Sequence, residues 1–151
     1  YYDTSDAGLI DKNGYISVMS RTDDIINCAG HRLSTGSIEE ILTEHKDIAE
    51  CAVVGFKDEL KGQVPVGLIV LNNSSMKSAE TILTETINLV RAKLGPVASY
   101  KKSIIVENLP KTRSGKILRS TISKILNKED YKVPATIEDI NTLELIKYLK
   151  L

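Results

Sequence analysis

The sequence predicts an α+β domain, a small mixed sheet flanked by helices, with a β-hairpin set apart at its N-terminal end. Three observations predict it. Short β-type runs alternate with stretches of helical period, the breaks between them carry Gly, Asp and Asn, and 151 residues fit one ordinary domain with a small appendage.

The elements follow in order. Leu9 and Ile10, the turn Asp11-Lys12-Asn13-Gly14 and the partly alternating run 15–19 read as a hairpin. Arg21-Thr22-Asp23-Asp24 interrupts the apolar pattern, Ile25-Ile26-Asn27-Cys28 resumes it, and Gly30-His31-Arg32 breaks it again, so a boundary is expected there. Ser37 and Glu40 have capping-box spacing and predict a helix start, with Ile38, Ile41, Leu42 and His45 on nearby turns. Residues 49–56 and 64–71 read as strands, the second placed at an edge or a bulge because of Pro65 and Gly67. Residues 78–94 give the longest helical pattern, ended by Gly95-Pro96, and 102–106 give a short strand. A last amphipathic helix is expected from Ile117 onward. Residues 136–151 predict a terminal helix behind a linker at 131–135.

Composition excludes several functions. Twenty acidic and twenty basic residues balance to zero, which argues against a general polyanion binder. One Phe and no Trp leave few platforms for stacking bases, so no nucleic acid is expected as a partner. No apolar stretch approaches membrane-spanning length, so no membrane is expected either. Cys28 and Cys51 sit in apolar runs without CxxC spacing and read as buried, reduced thiols of an intracellular protein. His31 and His45 stand beside no carboxylate-rich or cysteine cluster in the sequence, and no metal site is expected. The chain opens on Tyr1-Tyr2-Asp3 and reads as a piece of something longer.

Residues 110–119, Pro-Lys-Thr-Arg-Ser-Gly-Lys-Ile-Leu-Arg, bring four cations together around a Ser-Gly turn. Loop amides, a lysine and a helix start close behind it predict a phosphate or carboxylate target. A P-loop is ruled out: Pro110 stands where its first glycine belongs, and Ile117 where its magnesium-binding hydroxyl belongs. On charge alone the segment reads equally as a solvated basic loop.

Four patterns occur in one order: Tyr2-Asp3-Thr4-Ser5-Asp6, then Ser20-Arg21-Thr22-Asp23-Asp24, then Gly30-His31-Arg32 running on to Ile38-Glu39-Glu40, and finally 110–116. Together, over nearly the whole chain, they resemble the C-terminal domain of adenylate-forming acyl-CoA synthetases. The likeness is to the short-chain branch, the acetyl- and propionyl-CoA synthetases, which share the Gly-His-Arg phrase, Arg91 before Gly95-Pro96, and Pro-Lys-Thr-Arg-Ser-Gly-Lys. The resemblance implies that 1–22 end the large N-terminal domain and approach a hinge, that 23–130 form the mobile C-terminal domain, and that 131–151 are a helical tail. It implies a parent enzyme that joins a small carboxylate to ATP, releasing pyrophosphate, and then passes the acyl group to coenzyme A. Mg2+ is expected in that enzyme but not liganded by this part of it.

The same resemblance assigns residues. Lys116 matches the lysine that meets the carboxylate and α-phosphate oxygens during adenylation. Asp6 matches an acceptor for the ribose hydroxyls, although the family usually has Gly where Ser5 stands, and Arg21 matches a second nucleotide contact. Asp23 matches the hinge, Gly30 a glycine beside the pantetheine arm of coenzyme A, Arg32 a phosphate contact in the thioester-forming state, and Arg91 an arginine near the coenzyme A nucleotide. Ala29 and Ser34 replace the Ser and Gly of the acetyl type and lean towards propionate. The expected partners are the protein's own large domain, the carboxylate, and a lysine acetyltransferase and deacetylase acting on Lys116. The compartment stays open between cytoplasm and mitochondrial matrix. A rival reading is a non-catalytic module that docks an anionic partner through 110–119.

Overall fold

The N-terminal hairpin forms where its turn chemistry asks for it. In the computed structural model, which describes residues 6–149, β1 (Asp6–Ile10) pairs antiparallel with β2 (Ile16–Arg21). Asp11 Oδ1 accepts from the amides of Asn13 at 2.8 Å and Tyr15 at 2.9 Å, and Gly14 takes φ +86°. Leu9, Ile10, Tyr15, Ile16 and Val18 are all exposed on this ribbon. Tyr2, Asp3, Thr4 and Ser5 of the first motif lie outside the described residues, as do Lys150 and Leu151 of the tail.

A single 3-10 turn, Thr22–Asp24, separates the hairpin from a five-stranded sheet. β3 (Ile25–Cys28) and β4 (His31–Ser34) pair through a turn at Ala29 and Gly30, with φ +48° and +83°. The Gly30-His31-Arg32 phrase therefore turns the chain into a further strand instead of ending the sheet. α1 (Thr35–Thr43) follows without a loop, and the Ser37 capping box does not form. Ser34 holds the N-cap position, with no side-chain cap bond, because it is still paired with Ile25 as the last residue of β4.

β5 (Ile48–Asp58) and β6 (Gly62–Leu71) form the long hairpin of the sheet, whose order is β4-β3-β6-β5, with β7 (Lys102–Ile105) parallel to β6. β6 is thus central, which corrects its expected edge position. The ladder with β5 runs through Gly55 opposite Pro65 without a bulge there. On the other flank β3 reaches β6 at Gly62 and β7 joins only from Val66, so Pro65 stands in the interval between the two partners, where its missing N–H is tolerated. α2 (Ala79–Leu94) is capped by Ser78, whose Oγ accepts from the Thr81 amide at 3.2 Å, and ends at Gly95 with φ +79°.

Alternate residues of the central strands feed two cores. Val53 and Ile69 pack with Ile38, Leu42, Ile82 and Val90 beneath α1 and α2. Ala52, Val54 and Leu68 pack with Ile122, Ile125, Leu143 and Ile146 beneath α3 (Arg119–Leu126) and α4 (Asn141–Lys147). Helices therefore cover both faces, and burial on both sides explains why β5 and β6 read as nearly continuous apolar runs. The tail helix starts only at Asn141 and ends at Lys147, shorter than the expected 136–151, and Ile137 is held instead in an isolated bridge to Thr112.

The free edge of β5 is closed by side chains. Glu39 Oε1 accepts from the Val53 amide at 2.8 Å and Asn127 Oδ1 from the Lys57 amide at 2.7 Å, while Ser123 Oγ and Asn127 Nδ2 donate to the Gly55 carbonyl at 2.9 and 3.0 Å. Cys28 and Cys51 are free and buried, as their apolar settings imply. Burial, reinforced by the Glu39 charge and opposed by Arg119, pushes the Cys51 thiol up to about 12. At pH 8 about one Cys51 in ten thousand is then thiolate. Maleimide should leave both thiols of the native protein unmodified at pH 8 and label both in denaturant; rapid labelling of either in the native state would contradict this burial. The raised thiol also fixes a sign: its contribution to stability is complete below the ordinary thiol range and is lost as pH climbs through about 12.

Candidate functional site

The cationic loop is built around Thr112. Lys111 bridges Ile117, the Thr112 amide donates to the Lys116 carbonyl at 2.9 Å, and the Gly115 amide returns to the Thr112 carbonyl at 2.8 Å. Thr112 Oγ1 accepts from the Lys116 amide at 3.1 Å and lies 2.9 Å from Ser114 Oγ. Gly115, at φ +82°, closes the turn. The amides of Thr112, Arg113, Gly115 and Lys116 all donate within the fold, so the expected cradle of loop N–H groups is not formed. α3 begins at Arg119, two residues later than expected, since Ile117 belongs to the bridge. What this loop offers an anion is the side chains of Lys116 and Arg113, both exposed and without an ion-pair partner among the described residues.

Lys116 shares a cleft with Arg21, Asp24, Arg119 and Ser120, floored by Ile117 and Leu118. Arg21 ends β2 directly opposite Asp6 on β1. The fold thus brings Asp6, Arg21 and Lys116, far apart in sequence, to one end of the molecule. The backbone of Asp23 lies in the 3-10 turn between the hairpin and the sheet, and its side chain is outside the description.

Arg119 anchors the loop from behind. Its Nε and Nη2 each donate to the Glu39 carboxylate at 2.7 Å, a two-pronged pair that reaches from α3 to α1 across the edge of β5. The hydrogen bond to Glu39 holds the guanidinium above its already high range, against burial, with Asp24 adding in the same direction. Lys111 Nζ is likewise fixed to Glu50 at 2.6 Å. The four cations of this segment therefore fall into two kinds: Lys111 and Arg119 are held in ion pairs, and Arg113 and Lys116 have none among the described residues.

Gly30 and Arg91 are on other parts of the surface. The Ala29 amide donates to the Lys61 carbonyl at 2.8 Å, which pins the β3–β4 turn to the β5–β6 turn. Nothing lies within 4 Å of where a Gly30 side chain would begin, so a narrow ligand arm has room there, while its φ of +83° is by itself a reason for glycine. Arg91, exposed in the last turn of α2, lines a second cleft with Gly95, Ser99, Tyr100 and Lys101. Lys101 is a cation of that cleft that the sequence reading missed, since a lysine before a short strand carries no signal of its own. Arg32 is exposed on β4 opposite Asn27 and lines neither cleft.

His45 corrects the expectation that it is remote from carboxylates. Its Nε2 lies 2.9 Å from Glu85 Oε2 and its Nδ1 3.9 Å from Asp47 Oδ2. Lys77 Nζ approaches the same two oxygens, at 2.6 and 3.4 Å. Hydrogen bonds from Lys77 and then His45 hold the Glu85 carboxyl below its ordinary range. Donor atoms of His45, Asp47 and Glu85 fall within 4.8 Å of one another, but the Lys77 ammonium already supplies the positive charge, so a hard dication does not fit this cluster.

Residues 37–116 match the family described as AMP-binding enzyme C-terminal domain. The chain is 56% identical to acyl-CoA synthetase short-chain family member B, mitochondrial, of Dictyostelium discoideum over 97% of its own length and 21% of that protein. It is 54% identical to the mitochondrial family member 3 of Mus musculus, over 92% of this chain and 20% of that one. It is 44% identical to acetyl-coenzyme A synthetase 1 of Saccharomyces cerevisiae, over 95% and 20%. The crystal structure of a Brucella canis acyl-CoA synthetase superposes with a TM-score of 0.65 at 30% identity, covering 83% of this chain and 23% of that one. The chain spans about a fifth of the length of these curated relatives.

Proposed function

Because the chain belongs to the AMP-binding enzyme C-terminal domain family, we propose that it is the mobile C-terminal domain of an ATP-dependent short-chain acyl-CoA synthetase. One observation carries this reading: a lysine that is exposed and has no ion-pair partner among the described residues, on an internally bonded loop beside Arg21 and the Asp6 end of the hairpin. In adenylation a carboxylate oxygen attacks the α-phosphorus of ATP and pyrophosphate leaves. Lys116 sets a positive charge against the oxygens where negative charge gathers, while Asp6 accepts from the ribose hydroxyls and Arg21 contacts the nucleotide. A cation about 4 Å from such an anion is worth roughly 4 kcal/mol at an intermediate dielectric.

In the second half-reaction the sulfur of coenzyme A attacks the acyl carbon and AMP leaves. Rotation about Asp23 withdraws Lys116 and turns Gly30 towards the pantetheine arm and Arg91, helped by Lys101, towards the nucleotide phosphates. Arg32 contacts phosphate in that state. The 3-10 turn at Thr22–Asp24 supports the hinge role, since a few polar residues between two sheets can change torsion without breaking a core. The exposed apolar side chains of β1 and β2 support assigning 1–22 to a large N-terminal domain, with 23–130 as the moving body and 131–151 as its tail. Mg2+ belongs to that larger part.

The names of these relatives favour a short-chain acid and, of the two open compartments, the mitochondrial matrix. Ala29 and Ser34 favour propionate over acetate. Acetylation of Lys116 Nζ would erase its charge, which makes a lysine acetyltransferase and deacetylase fitting regulators; mass spectrometry of the protein from cells tests this. The proposal as a whole is tested by carboxylate-dependent ATP–pyrophosphate exchange. The complete protein should exchange with propionate or acetate, and the 151-residue chain alone with neither. Acyl-AMP formation by the isolated chain would refute the assignment.

A further inference from the structure

The Lys116 loop is held from outside by the C-terminal tail. The Arg113 amide donates to the Thr136 carbonyl and the Glu138 amide to the Lys111 carbonyl, both at 2.9 Å, on either side of the Thr112–Ile137 bridge. Residues 136–138 thus add a third strand-like segment to the two arms of the loop, which meet each other at one bridge, Lys111 with Ile117. Two paired arms of that length are marginal alone, and a third adds the missing support.

The tail is firmly seated. Ile137 packs against the core beneath α3 and α4, and behind it Leu143 and Ile146 are each 1% exposed. Asp139 starts α4 by accepting from the Asn141 amide at 2.9 Å through Oδ1 and from Thr142 Oγ1 at 2.7 Å through its carbonyl. Rigid packing therefore runs from α4 through 136–138 into Lys111, Thr112 and Arg113. Thr112 in turn fixes the backbone of Lys116 at both its amide and its carbonyl.

We propose that residues 136–138 are a positioning strap for Lys116, which sets the place of the ammonium group without touching substrate. The inference rests on Lys116 acting in adenylation. Its test uses the complete synthetase and two half-reactions, ATP–pyrophosphate exchange and thioester formation from supplied acyl-adenylate. Glu138→Pro deletes the N–H that reaches Lys111, and Glu138→Ala keeps it. Glu138→Pro should lower the turnover of adenylation about tenfold, the scale of a slightly misplaced group, with KM values and thioester formation within about twofold. Glu138→Ala should match the parent protein in both. If proline at 138 prevents folding, Ile137→Ala, which loosens the same bridge, carries the test with the same expectation. Adenylation at the parent rate, or an equal fall in both half-reactions, would overturn the strap. Lys116→Ala run in parallel separates the two ideas. If it abolishes adenylation while the strap variants do not change it, only the strap fails; if it leaves adenylation intact, the lysine reading fails.

Discussion

Lys116→Ala in the complete synthetase should cut acyl-adenylate formation by about a thousandfold, while thioester formation from supplied acyl-adenylate stays within about twofold. The size follows from the charge: roughly 4 kcal/mol of stabilisation at the reacting oxygens corresponds to about three powers of ten in rate. The asymmetry follows from the fold. Lys116 is solvent-exposed and its loop keeps its hydrogen bonds through backbone groups and Thr112, so truncating the side chain leaves the domain intact. Lys116→Arg should recover only part of the loss, because a broad, flat guanidinium replaces a compact ammonium. Both half-reactions are measured on the same preparation. Equal losses in both would mean that Lys116 acts through folding or docking, and the adenylation role would be withdrawn.

Gly67→Ala should destabilise the domain by about 3 kcal/mol, the sum of overpacking and of a buried hydroxyl driven from its partner. A Cβ at Gly67 would come within 2.1 Å of Tyr100 Oη and 3.1 Å of its Cζ. Tyr100 is 5% exposed and has nowhere to go. Its hydroxyl lies 2.6 Å from Ser103 Oγ, which lies 2.9 Å from Thr86 Oγ1, and Thr86 Oγ1 donates to the Leu83 carbonyl at 2.8 Å. This chain ties β7 to α2, and burial holds the phenol far above its ordinary range, so it remains a neutral partner. Thermal denaturation of Gly67→Ala should show a fall of roughly 10 °C. Tyr100→Phe in the same protein removes the oxygen that clashes and should restore part of the loss, whereas simple additivity of the two changes would rule out the contact. Tyr100 also lines the Arg91 cleft, so if that cleft takes coenzyme A as proposed, its affinity should fall as well.

Much of the fold is legible because its signals are local. The Asp11–Gly14 turn, the Ser78 cap, the Gly95 stop and the runs of β5 and β6 each lie within a few residues of what they determine. β4 is hidden because it is four residues long and polar, a strand made by backbone pairing with β3 and not by its side chains. Pro65 reads as an edge signal because the gap between β3 and β7 that accommodates it is a property of the assembled sheet. In the candidate site, ordered motifs single out Lys116, Arg21 and Asp6, which the fold places at one end of the molecule, yet the long-range contacts around them are invisible to those motifs. Glu39 meets Arg119 across 80 residues, and the tail pairs with the loop through backbone groups that any residue could supply.

If the domain swings as proposed, the side-chain closure of β5 bears on its self-association. A bare strand edge invites pairing with a second copy, and it is most exposed while a domain is between docked poses. Glu39, Ser123 and Asn127 belong to helices of the same body, so the cover travels with the edge it protects. On the opposite side β7 and β4 border the sheet, and β4 is short and bears the charge of Arg32, which discourages strand addition there by another route. In any pose that the domain takes on the proposed reading, the edge of β5 stays covered.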